Sequence, residues 1–409
     1  MAKANARRAL DDLYELREIG RYKTGVHRPT LSPDDMEARA WLADKMRAAG
    51  LEPSIDGIAN VYGRAPGCGP IALAGSHIES QNEAGWLDGA LGVIYALEAA
   101  RAVAEDPELA GRGAGVDVIA FADEEGHFGS FFGSYSFMGE LSDARIDAAT
   151  DRSGRGTLRD LLKAAGLEGR PRLQADPGRY AAFFEAHIEQ GGRLEAAGQA
   201  VGVVTSIVAI WQYRIVFEGQ QNHAGTTTMA QRRDAGAALH RLWRMIEDEF
   251  PGLAGPHSVW TVGRATLEPG DPSIIPGRAE MLFQFRDADR AILDAMHARL
   301  EEMVREIDEA GACRAKLDVM GRSEPAMMAE APQAALVAAA EALAPGRFAI
   351  MPSGAGHDAQ IVAPHIPTAM MFVPSIGGIS HHWTENTSDE DIMLGAEVFV
   401  DAVARTLSS

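Results

Sequence analysis

Apolar residues in the first half of the chain form short unbroken runs separated by helical stretches. Ile71–Ala74 and Val116–Phe121 are brief apolar runs of the kind that form strands buried on both faces of a parallel sheet. Ala90–Ala104, between them, is rich in alanine and predicts a helix. Ser32 and the proline that follows it predict the start of an earlier helix that ends near Gly50. A strand, a helix and a strand in succession indicate a right-handed βαβ unit.

From Trp211 onward, apolar and polar residues alternate, which is typical of antiparallel strands with one solvated face. The alternating segments are Tyr213–Glu218, His257–Thr266 and Ala279–Arg286. Helices are predicted at Met229–Phe250 and Ala288–Ala310, and the chain beyond residue 330 returns to a helix, a strand at Thr368–Pro374 and a last helix after Ser388. The segments 106–115 and 150–180 are polar, contain Gly and Pro, and are expected to be linkers.

These patterns predict an α/β fold with two domains. A mixed, mostly parallel sheet with helices on both faces is expected in residues 1–210 and 326–409. An α+β domain, with an antiparallel sheet and two helices, is expected as an insertion at 211–325. An antiparallel sheet with an exposed edge is a natural surface for dimerisation.

Composition narrows the class of protein. The chain has 409 residues, with 38 Lys and Arg against 58 Asp and Glu, so its formal net charge is −20. Such a surface repels phosphates, which argues against binding to nucleic acid or to anionic lipid. The two cysteines, Cys68 and Cys313, form no CxxC motif, which excludes a cysteine metal site and suggests a reducing compartment. The charged N-terminus and the lack of a long apolar run predict a cytoplasmic protein without a membrane span.

Several common catalytic motifs are missing from the sequence. It contains no GxSxG elbow, no GxxxxGK[ST] phosphate loop and no HExxH helix. Gly111–Gly115 (GRGAG) precedes a predicted strand rather than following one, so it does not fit a dinucleotide-binding turn. These absences disfavour a serine hydrolase, a nucleotidase and a dinucleotide-dependent oxidoreductase.

Histidines and acids instead follow the apolar strands. His77 follows the first strand and precedes Asp88, and Asp123, Glu124 and Glu125 follow the second. Two further clusters read HIEQG at 187–191 and GGISHH at 377–382. Sites in open α/β sheets gather at the carboxyl ends of the strands, and imidazole with carboxylate suits a divalent metal such as zinc. Taken singly, each cluster also has an ordinary explanation, such as a hydrogen-bonded structural histidine or a solvated acidic loop.

The clusters together with their flanking residues resemble the hydantoinase/carbamoylase family of amidases, in the di-zinc exopeptidase and aminoacylase superfamily. The resemblance spans about residues 70 to 395 and consists of a series of blocks in the family's order. These blocks are GSHIESQ…WLDGALGV, FADEEGHFGSFFGS, EAHIEQGGRLE, VGVVTSI, FEGQQNHAGTTTMAQRRDA, IIPGRAEMLFQFRDAD, SGAGHDA and FVPSIGGISHHWTENTS.

The resemblance implies two divalent metal ions per subunit. One would be held by His77 and His187, the other by Glu125 and His381, and Asp88 would bridge them. Zinc is the expected metal, with Mn²⁺, Co²⁺ or Ni²⁺ as alternatives. The domain of residues 1–210 and 326–409 would then carry the metals, and residues 211–325 would serve as a lid and in dimerisation.

The resemblance also implies roles in catalysis and substrate binding. Glu124 matches the general base that takes a proton from the attacking water and passes it to the departing nitrogen. His223 matches the group that stabilises the tetrahedral oxyanion, with Asn222 beside it. Arg286 matches the arginine that binds a substrate carboxylate, for which its planar guanidinium is well suited. Gln190 and His357 are also expected to line the site.

The sequence departs from the family pattern around the expected pocket. The usual His-x-Asp is His77-Ile78-Glu79 here, and Glu79 is expected to orient the metal-bound imidazole. Ser273 stands where an asparagine often contacts substrate. Trp86 replaces a smaller or polar residue, and His382-Trp383 replaces a frequent Asn-Pro. These departures leave the metal chemistry intact, and they leave room for an aromatic or bulkier substrate.

The sequence therefore predicts a metal-dependent amidohydrolase that acts on a linear amide or ureido C–N bond of a small carboxylate-bearing substrate. An N-carbamoyl amino acid, a β-ureido acid and an allantoate-like ureide are the leading substrates, and a homodimer formed through the inserted domain is expected. Two alternatives stay open: the same site acting on N-acyl amino acids, dipeptides or an aromatic amine, and a metal-binding protein without turnover. The presence of Glu124 beside the ligands argues against the second alternative.

Overall fold

A computed structural model describes residues 2–409. The chain divides into two compact units, one formed by the residues up to Thr205 together with Met327–Ser409, and the other by Ser206–Ala326.

The helices, in chain order, are α1 Ala6–Arg17, α2 Pro33–Ala48, α3 Ala90–Glu105, α4 Pro107–Gly111, α5 Phe132–Phe137, α6 Asp143–Ala148, α7 Leu158–Ala164, α8 Arg193–Ala196, α9 Ala235–Glu249, α10 Arg290–Glu309, α11 Glu330–Leu343, α12 Asp358–Val362 and α13 Asp389–Ser408. The strands are β1 Arg21–Tyr22, β2 Gly25–Val26, β3 Glu52–Ile55, β4 Val61–Arg64, β5 Ile71–His77, β6 Gly115–Phe121, β7 Tyr180–Ile188, β8 Val201–Ile207, β9 Ala209–Glu218, β10 Asn222–His223, β11 Val259–Glu268, β12 Ile274–Ile275, β13 Arg278–Asp287, β14 Arg314–Arg322, β15 Ala326–Met327, β16 Phe348–Ser353 and β17 Thr368–Val373.

The first unit is built on a mixed sheet in the order β15-β8-β17-β7-β5-β6-β4-β3, in which β16 also pairs with β8. The central strands β17, β7, β5 and β6 are parallel, whereas β8, β4 and β3 join antiparallel at the two sides. All residues of β5, β6 and β17 are buried, which explains their unbroken apolar sequences. Helices cover both faces of this sheet, so the predicted fold class is confirmed.

Helix ends in the first unit follow the local sequence. Ser32 caps α2 by accepting a hydrogen bond from the N–H of Asp35, and Ser388 caps α13 in the same way at Asp391. Helix α3 is buried along nearly its whole length and packs against α1, α13 and the central strands. This packing fixes the turn before α3, which carries Asp88, against the carboxyl end of β5.

The second unit contains a four-stranded antiparallel sheet in the order β11-β13-β9-β14, with α9 and α10 packed on it. Residues of β9 alternate between buried and less buried positions along the strand, as the sequence pattern predicted. The buried side chains of the sheet and of the two helices form one apolar core that includes Trp211, Phe250 and Phe285. The antiparallel character predicted for this part of the chain is confirmed.

Many of the observed elements are absent from the sequence-based prediction, including helix α1, the central strand β7 and the edge strand β14. Helix α1 buries Leu10, Leu13 and Leu16 beneath a run of charged residues, and this spacing is the helical period that could have revealed it. Helices α4 and α7 lie within the two segments expected to be linkers, where Asp106 and Thr157 cap them. Strand β14 lies at the sheet edge, and its residues 314–319 alternate polar and apolar side chains, a pattern that could have revealed it. No helix among residues 2–409 is long and apolar enough to span a membrane.

Candidate active site

Four parallel strands bring polar side chains to one edge of the central sheet. His77 is the last residue of β5, and His187 is the last but one of β7. Glu124 and Glu125 follow the end of β6, and His381 follows β17. Because β17, β7, β5 and β6 run in the same direction, their carboxyl ends lie at the same edge, where sites form in open α/β sheets.

Asp88 lies at the centre of this group. Its Oδ1 is 3.0 Å from Nε2 of His187 and 3.6 Å from Nε2 of His77. The residue after it, Gly89, has a φ of +67°, and a Cβ there would lie 2.4 Å from the His77 ring. Only glycine therefore allows the turn to bring Asp88 this close to the end of β5.

The second oxygen of Asp88 faces a different pair of residues. Oδ2 lies 3.4 Å from Nε2 of His381 and accepts a hydrogen bond of 3.0 Å from Nε2 of Gln190. Nε2 of His381 in turn lies 3.7 Å from Oε2 of Glu125. One oxygen of Asp88 thus faces His77 and His187, and the other faces His381. This is the arrangement expected of a carboxylate shared between two cations.

The geometry defines two groups of possible metal ligands that share Asp88. Ligand atoms of His77, Asp88 and His187 all lie within 4.8 Å of one another, and so do those of Asp88, Glu125 and His381. The structure therefore brings together all five residues predicted as ligands. The first group is buried, whereas His381 is exposed.

His77 presents a lone pair to the cluster, and His187 presents one when its ring is neutral. Nδ1 of His77 lies 3.1 Å from the carbonyl of Glu79, and Nδ1 of His187 lies 2.9 Å from the carbonyl of Ile188. Each Nδ1 therefore donates its proton to the main chain, which leaves Nε2 as the acceptor in the neutral ring. Nε2 of His77 is buried and has no hydrogen-bond partner among residues 2–409. A lone pair facing a carboxylate oxygen is repulsive unless a cation lies between them, so a divalent ion fits these donors.

The acids of the site perturb one another. Burial and the negative charge of Asp88 raise the pKa of Glu125 to about 8. Burial, followed by the charges of Glu125, Asp358 and Asp88, raises the pKa of Glu124 well above its usual range. Divalent cations would relieve this repulsion by compensating several buried negative charges at once.

Glu124 lies beside the cluster but belongs to neither ligand group. Its Oε2 is 3.7 Å from Nε2 of His77, and its side chain is 11% exposed. A carboxylate at that distance from a ligand, with access to solvent, can reach a water molecule held between the two groups.

Glu79 has different partners from those that the His-x-Asp pattern predicted. Its main-chain carbonyl, not its carboxylate, contacts Nδ1 of His77, and the nearest carboxylate oxygen is 4.0 Å away. The carboxylate instead binds Arg39 and the backbone N–H of Glu124, each at 2.7 Å. The longer side chain reaches past the imidazole, so the expected contact is replaced by one from the main chain.

Gln190 and His357 occupy different positions relative to the ligands. Gln190 contacts Asp88 and lies 3.3 Å from Nε2 of His381, directly at the cluster. His357 is buried, with its ring 4.6 Å from that of His187 and its Nε2 2.8 Å from Oγ of Ser353. Gln190 therefore lines the ligand cluster, whereas His357 packs behind a ligand, and contact of either residue with substrate stays a prediction.

The second unit contains the residue predicted to stabilise the oxyanion, His223, and three of those predicted to bind substrate. Asn222 and His223 form the short strand β10, which pairs with β12 directly after Ser273. The hydroxyl of Ser273 donates to Asp271 within its own turn, at 2.5 Å. Arg286 lies near the end of β13, half-buried, and burial lowers its pKa.

The ring orientation of His223 is fixed by its local turn. Its Nδ1 accepts hydrogen bonds from the backbone N–H groups of Gly225, at 3.0 Å, and Thr226, at 3.3 Å. In the neutral ring the proton therefore resides on Nε2, which makes this atom a hydrogen-bond donor.

The bulky departures from the family pattern have structural roles. Trp86 is buried, stacks on Tyr14 of α1 with ring centroids 5.1 Å apart, and lies beneath the guanidinium of Arg17. Trp383 lies beneath the ammonium of Lys23. The suggestion that Trp86 marks an aromatic substrate is not supported, because its ring packs against the N-terminal helix.

Two further residues hold the ligands in place and were not singled out from the sequence. Gln81 donates its backbone N–H to Oε1 of Glu125 and its side-chain amide to Oε2, at 3.0 and 2.7 Å. Glu385 accepts the backbone N–H of Asp88 at 3.2 Å and the hydroxyl of Ser380 at 2.9 Å. Both residues lie within the blocks that carry the family resemblance, but nothing in their local sequence indicates which partner they bind.

Comparison with known proteins assigns the chain to a family. Residues 72–405 match the sequence model of Peptidase family M20/M25/M40. The chain therefore belongs to this family, whose enzymes use divalent metals.

Named relatives narrow the assignment. The chain is 34% identical to allantoate amidohydrolase of Escherichia coli (strain K12), with 91% of each chain covered. It is 33% identical to N-carbamoyl-L-amino acid amidohydrolase of Geobacillus stearothermophilus, with 96% of each covered. A solved amidase (hydantoinase/carbamoylase family) from Burkholderia phymatum is 48% identical, covers 100% of this chain and 99% of its own, and superposes with a TM-score of 0.93. The predicted resemblance to the hydantoinase/carbamoylase family of amidases is confirmed, and so is the prediction that the protein is a hydrolase.

Proposed function

We propose that the protein is a metal-dependent amidohydrolase that cleaves a linear amide or ureido C–N bond in a small carboxylate-bearing substrate. The observation that carries the proposal is the pair of ligand groups joined through Asp88, with Glu124 beside them and outside both. An N-carbamoyl amino acid, a ureido acid or an allantoate-type compound is the proposed substrate, in keeping with the names of the relatives.

Two divalent ions are proposed, one on His77 and His187 and the other on Glu125 and His381, with Asp88 between them. Zinc is favoured because imidazole and carboxylate are its usual ligands here, and Mn²⁺, Co²⁺ and Ni²⁺ are the alternatives. When bound, such ions polarise the scissile carbonyl and acidify the attacking water.

Glu124 is the proposed general base. Its carboxylate takes a proton from the attacking water and delivers it to the nitrogen that leaves. The raised pKa of Glu124 suits this role. A group that first accepts a proton and then donates it works best when its pKa is nearer neutrality than that of an exposed carboxyl.

His223 is proposed to donate Nε2–H to the oxyanion that forms as the carbonyl is attacked. The two backbone N–H groups that bind its Nδ1 keep the proton on Nε2, so the ring is prepared to donate before substrate arrives. Four further residues are proposed to contact the substrate or to support residues that contact it, namely Asn222, Gln190, His357 and Ser273.

Arg286 is proposed to bind the substrate carboxylate through its planar guanidinium. The second unit is proposed to act as a lid and to form the homodimer. Exposed apolar residues on its edge strands support the dimer, namely Val259 and Leu267 on β11 and Val319 and Met320 on β14.

The test is turnover of a substrate panel by protein that has been stripped of metal and reconstituted with each ion separately. The panel contains N-carbamoyl amino acids, N-carbamoyl-β-alanine, allantoate, N-acetyl amino acids, dipeptides and aminobenzoates, with ammonia and amine release as readouts. We expect activity on carbamoyl or allantoate compounds that disappears on chelation and returns with metal.

Other outcomes would contradict the proposal in different ways. Activity confined to acyl or aromatic amides would keep the site and change the substrate class. Activity that survives chelation, with metal verified absent, would refute the mechanism. Metal binding without turnover of any compound would favour the inactive alternative.

A further inference from the structure

A group of charged side chains lies completely buried behind the loop that carries Glu124. Arg39, on α2, has no exposed side-chain surface, and neither do its partners Asp35 and Glu79. Nε of Arg39 donates to Asp35 at 3.0 Å, and Nη2 donates to Oε2 of Glu79 at 2.7 Å. A buried guanidinium is tolerated only where its charge and donors are matched, so these partners fix it tightly.

The same guanidinium also binds the main chain just before β4 and at the end of β6. Nη1 of Arg39 donates to the carbonyls of Ala59, at 2.7 Å, and Phe121, at 3.3 Å. Phe121 is the last residue of β6, and Glu124 follows it by three positions. Arg39 therefore contacts the start of the segment that carries the proposed base.

Glu79 contacts the end of that segment. Its Oε1 accepts the backbone N–H of Glu124 at 2.7 Å, while its Oε2 binds Arg39. Between the two fixed points, Asp123 has a φ of +60°, and its carboxylate accepts the backbone N–H groups of Phe128 and Gly129. The segment from Phe121 to Glu124 is thus held at both ends by one buried arginine, directly at one end and through Glu79 at the other.

The imidazole of His77 does not depend on the Glu79 carboxylate. Its Nδ1 is bound by the Glu79 carbonyl at 3.1 Å, whereas the carboxylate is 4.0 Å away. An aspartate at this position would be one methylene shorter. Its carboxylate would not reach both Arg39 and the backbone N–H of Glu124.

We propose that Glu79 and Arg39 are positioning residues for Glu124 and not for the metal ligand His77. This inference rests on the proposed function, in which Glu124 is the general base. A base displaced by about 1 Å can lose about 100-fold in rate, so fixing the backbone of Glu124 has a direct effect on turnover.

The test is Glu79→Asp, which restores the residue usual in the family motif. If Glu79 positions Glu124, kcat should fall by about 10-fold or more, while KM and the amount of bound metal stay unchanged. This is the size of loss typical of residues that hold a site residue in place through a hydrogen bond. Glu79→Gln keeps the length and an acceptor oxygen for the Glu124 N–H, so it should retain more activity than Glu79→Asp. In the metal-free protein, hydrogen exchange of the 121–125 segment should be faster in Glu79→Asp than in wild type.

Glu98→Gln is the matched control. Glu98 lies on α3, has no exposed side-chain surface and accepts Nε–H of Arg8 at 2.7 Å, so it is also a buried carboxylate paired with arginine. This variant should lower the melting temperature without changing kcat or exchange in the 121–125 segment.

The proposal is overturned if Glu79→Asp weakens metal affinity and saturating metal restores kcat, because Glu79 would then act through His77. Unchanged kcat with unchanged exchange would also overturn it. Should Glu79→Asp not fold, Glu79→Gln and Arg39→Lys carry the same measurements, with the loss in kcat and the faster exchange expected in Arg39→Lys. Failure of the proposed function is separate, because it would appear as full activity in Glu124→Gln.

Discussion

Metal binding at the buried histidines should be coupled to the release of a proton. Burial disfavours a charged ring at His187, but the hydrogen bond to Asp88 and the negative charges of Asp88 and Glu185 outweigh it and raise the pKa of His187 to about 9. His77 differs, since burial is the largest effect there and lowers its pKa to about 4. At neutral pH and without metal, His187 is therefore protonated and His77 is not.

The size of the coupling follows from these values. An imidazole binds a metal only when it is neutral, so each pH unit below the pKa of His187 weakens binding about tenfold. Between pH 7 and pH 9, where half of the His187 rings are neutral, the affinity of the group containing His77, Asp88 and His187 should rise by about 50-fold, or about 2.3 kcal/mol. Binding at pH 7 should release about one proton for this ion, and further protons for the second ion, because the pKa values of His381 and Glu125 are also raised, to about 9 and about 8.

The assay is titration of metal-free protein with Zn²⁺ by calorimetry in buffers of different ionisation enthalpy, together with competition against a chelator of known pH dependence. Glu98→Gln serves as control, since it changes a buried carboxylate on α3 and should leave proton release unchanged. Affinity that does not change between pH 7 and pH 9, with no proton released, would show that His187 is already neutral and would refute the ion pair with Asp88.

The remaining predictions concern the base, the substrate carboxylate and stability. Glu124→Gln should lower kcat by about 100-fold or more while metal content, measured by atomic absorption, stays at the wild-type level; loss of metal would make Glu124 a ligand. Arg286→Ala should raise KM for carboxylate-bearing substrates by about 10-fold or more, from loss of a charge-assisted hydrogen bond, and an equal loss on uncharged amides would contradict its role. The metal-free protein should lose stability as pH rises from about 6.5 to 9, because the raised pKa values of His187, Glu125 and Glu385 mean that the folded state binds more protons than the unfolded chain. Calorimetric melting temperatures that rise over that interval would contradict this sign.

Part of the order of elements was predictable, because the elements that were recognised depend on neighbours in the sequence. The buried strands β5 and β6 are recognisable from unbroken apolar residues, and β9 and β13 from alternation. Helix α2 is recognisable from the Ser32-Pro33 cap. The residues of the ligand groups were found through motif blocks, which fix their identity. Strand β14 was missed although residues 314–319 alternate polar and apolar side chains, so the signal was present in the sequence but was not used.

The sequence by itself determined the fold class, the family and the side chains available for chemistry. Only the tertiary structure decided how those side chains pair. Asp88 faces His77 and His187 with one oxygen and His381 with the other because three separate strand ends and a turn meet at one edge of the sheet. The carboxylate of Glu79 binds Arg39 and the Glu124 N–H, and Trp86 packs on Tyr14, because these partners are distant in sequence and only packing brings them together. A motif specifies which atoms are present, whereas hydrogen-bond partners depend on distances of a few tenths of an ångström that no local pattern encodes.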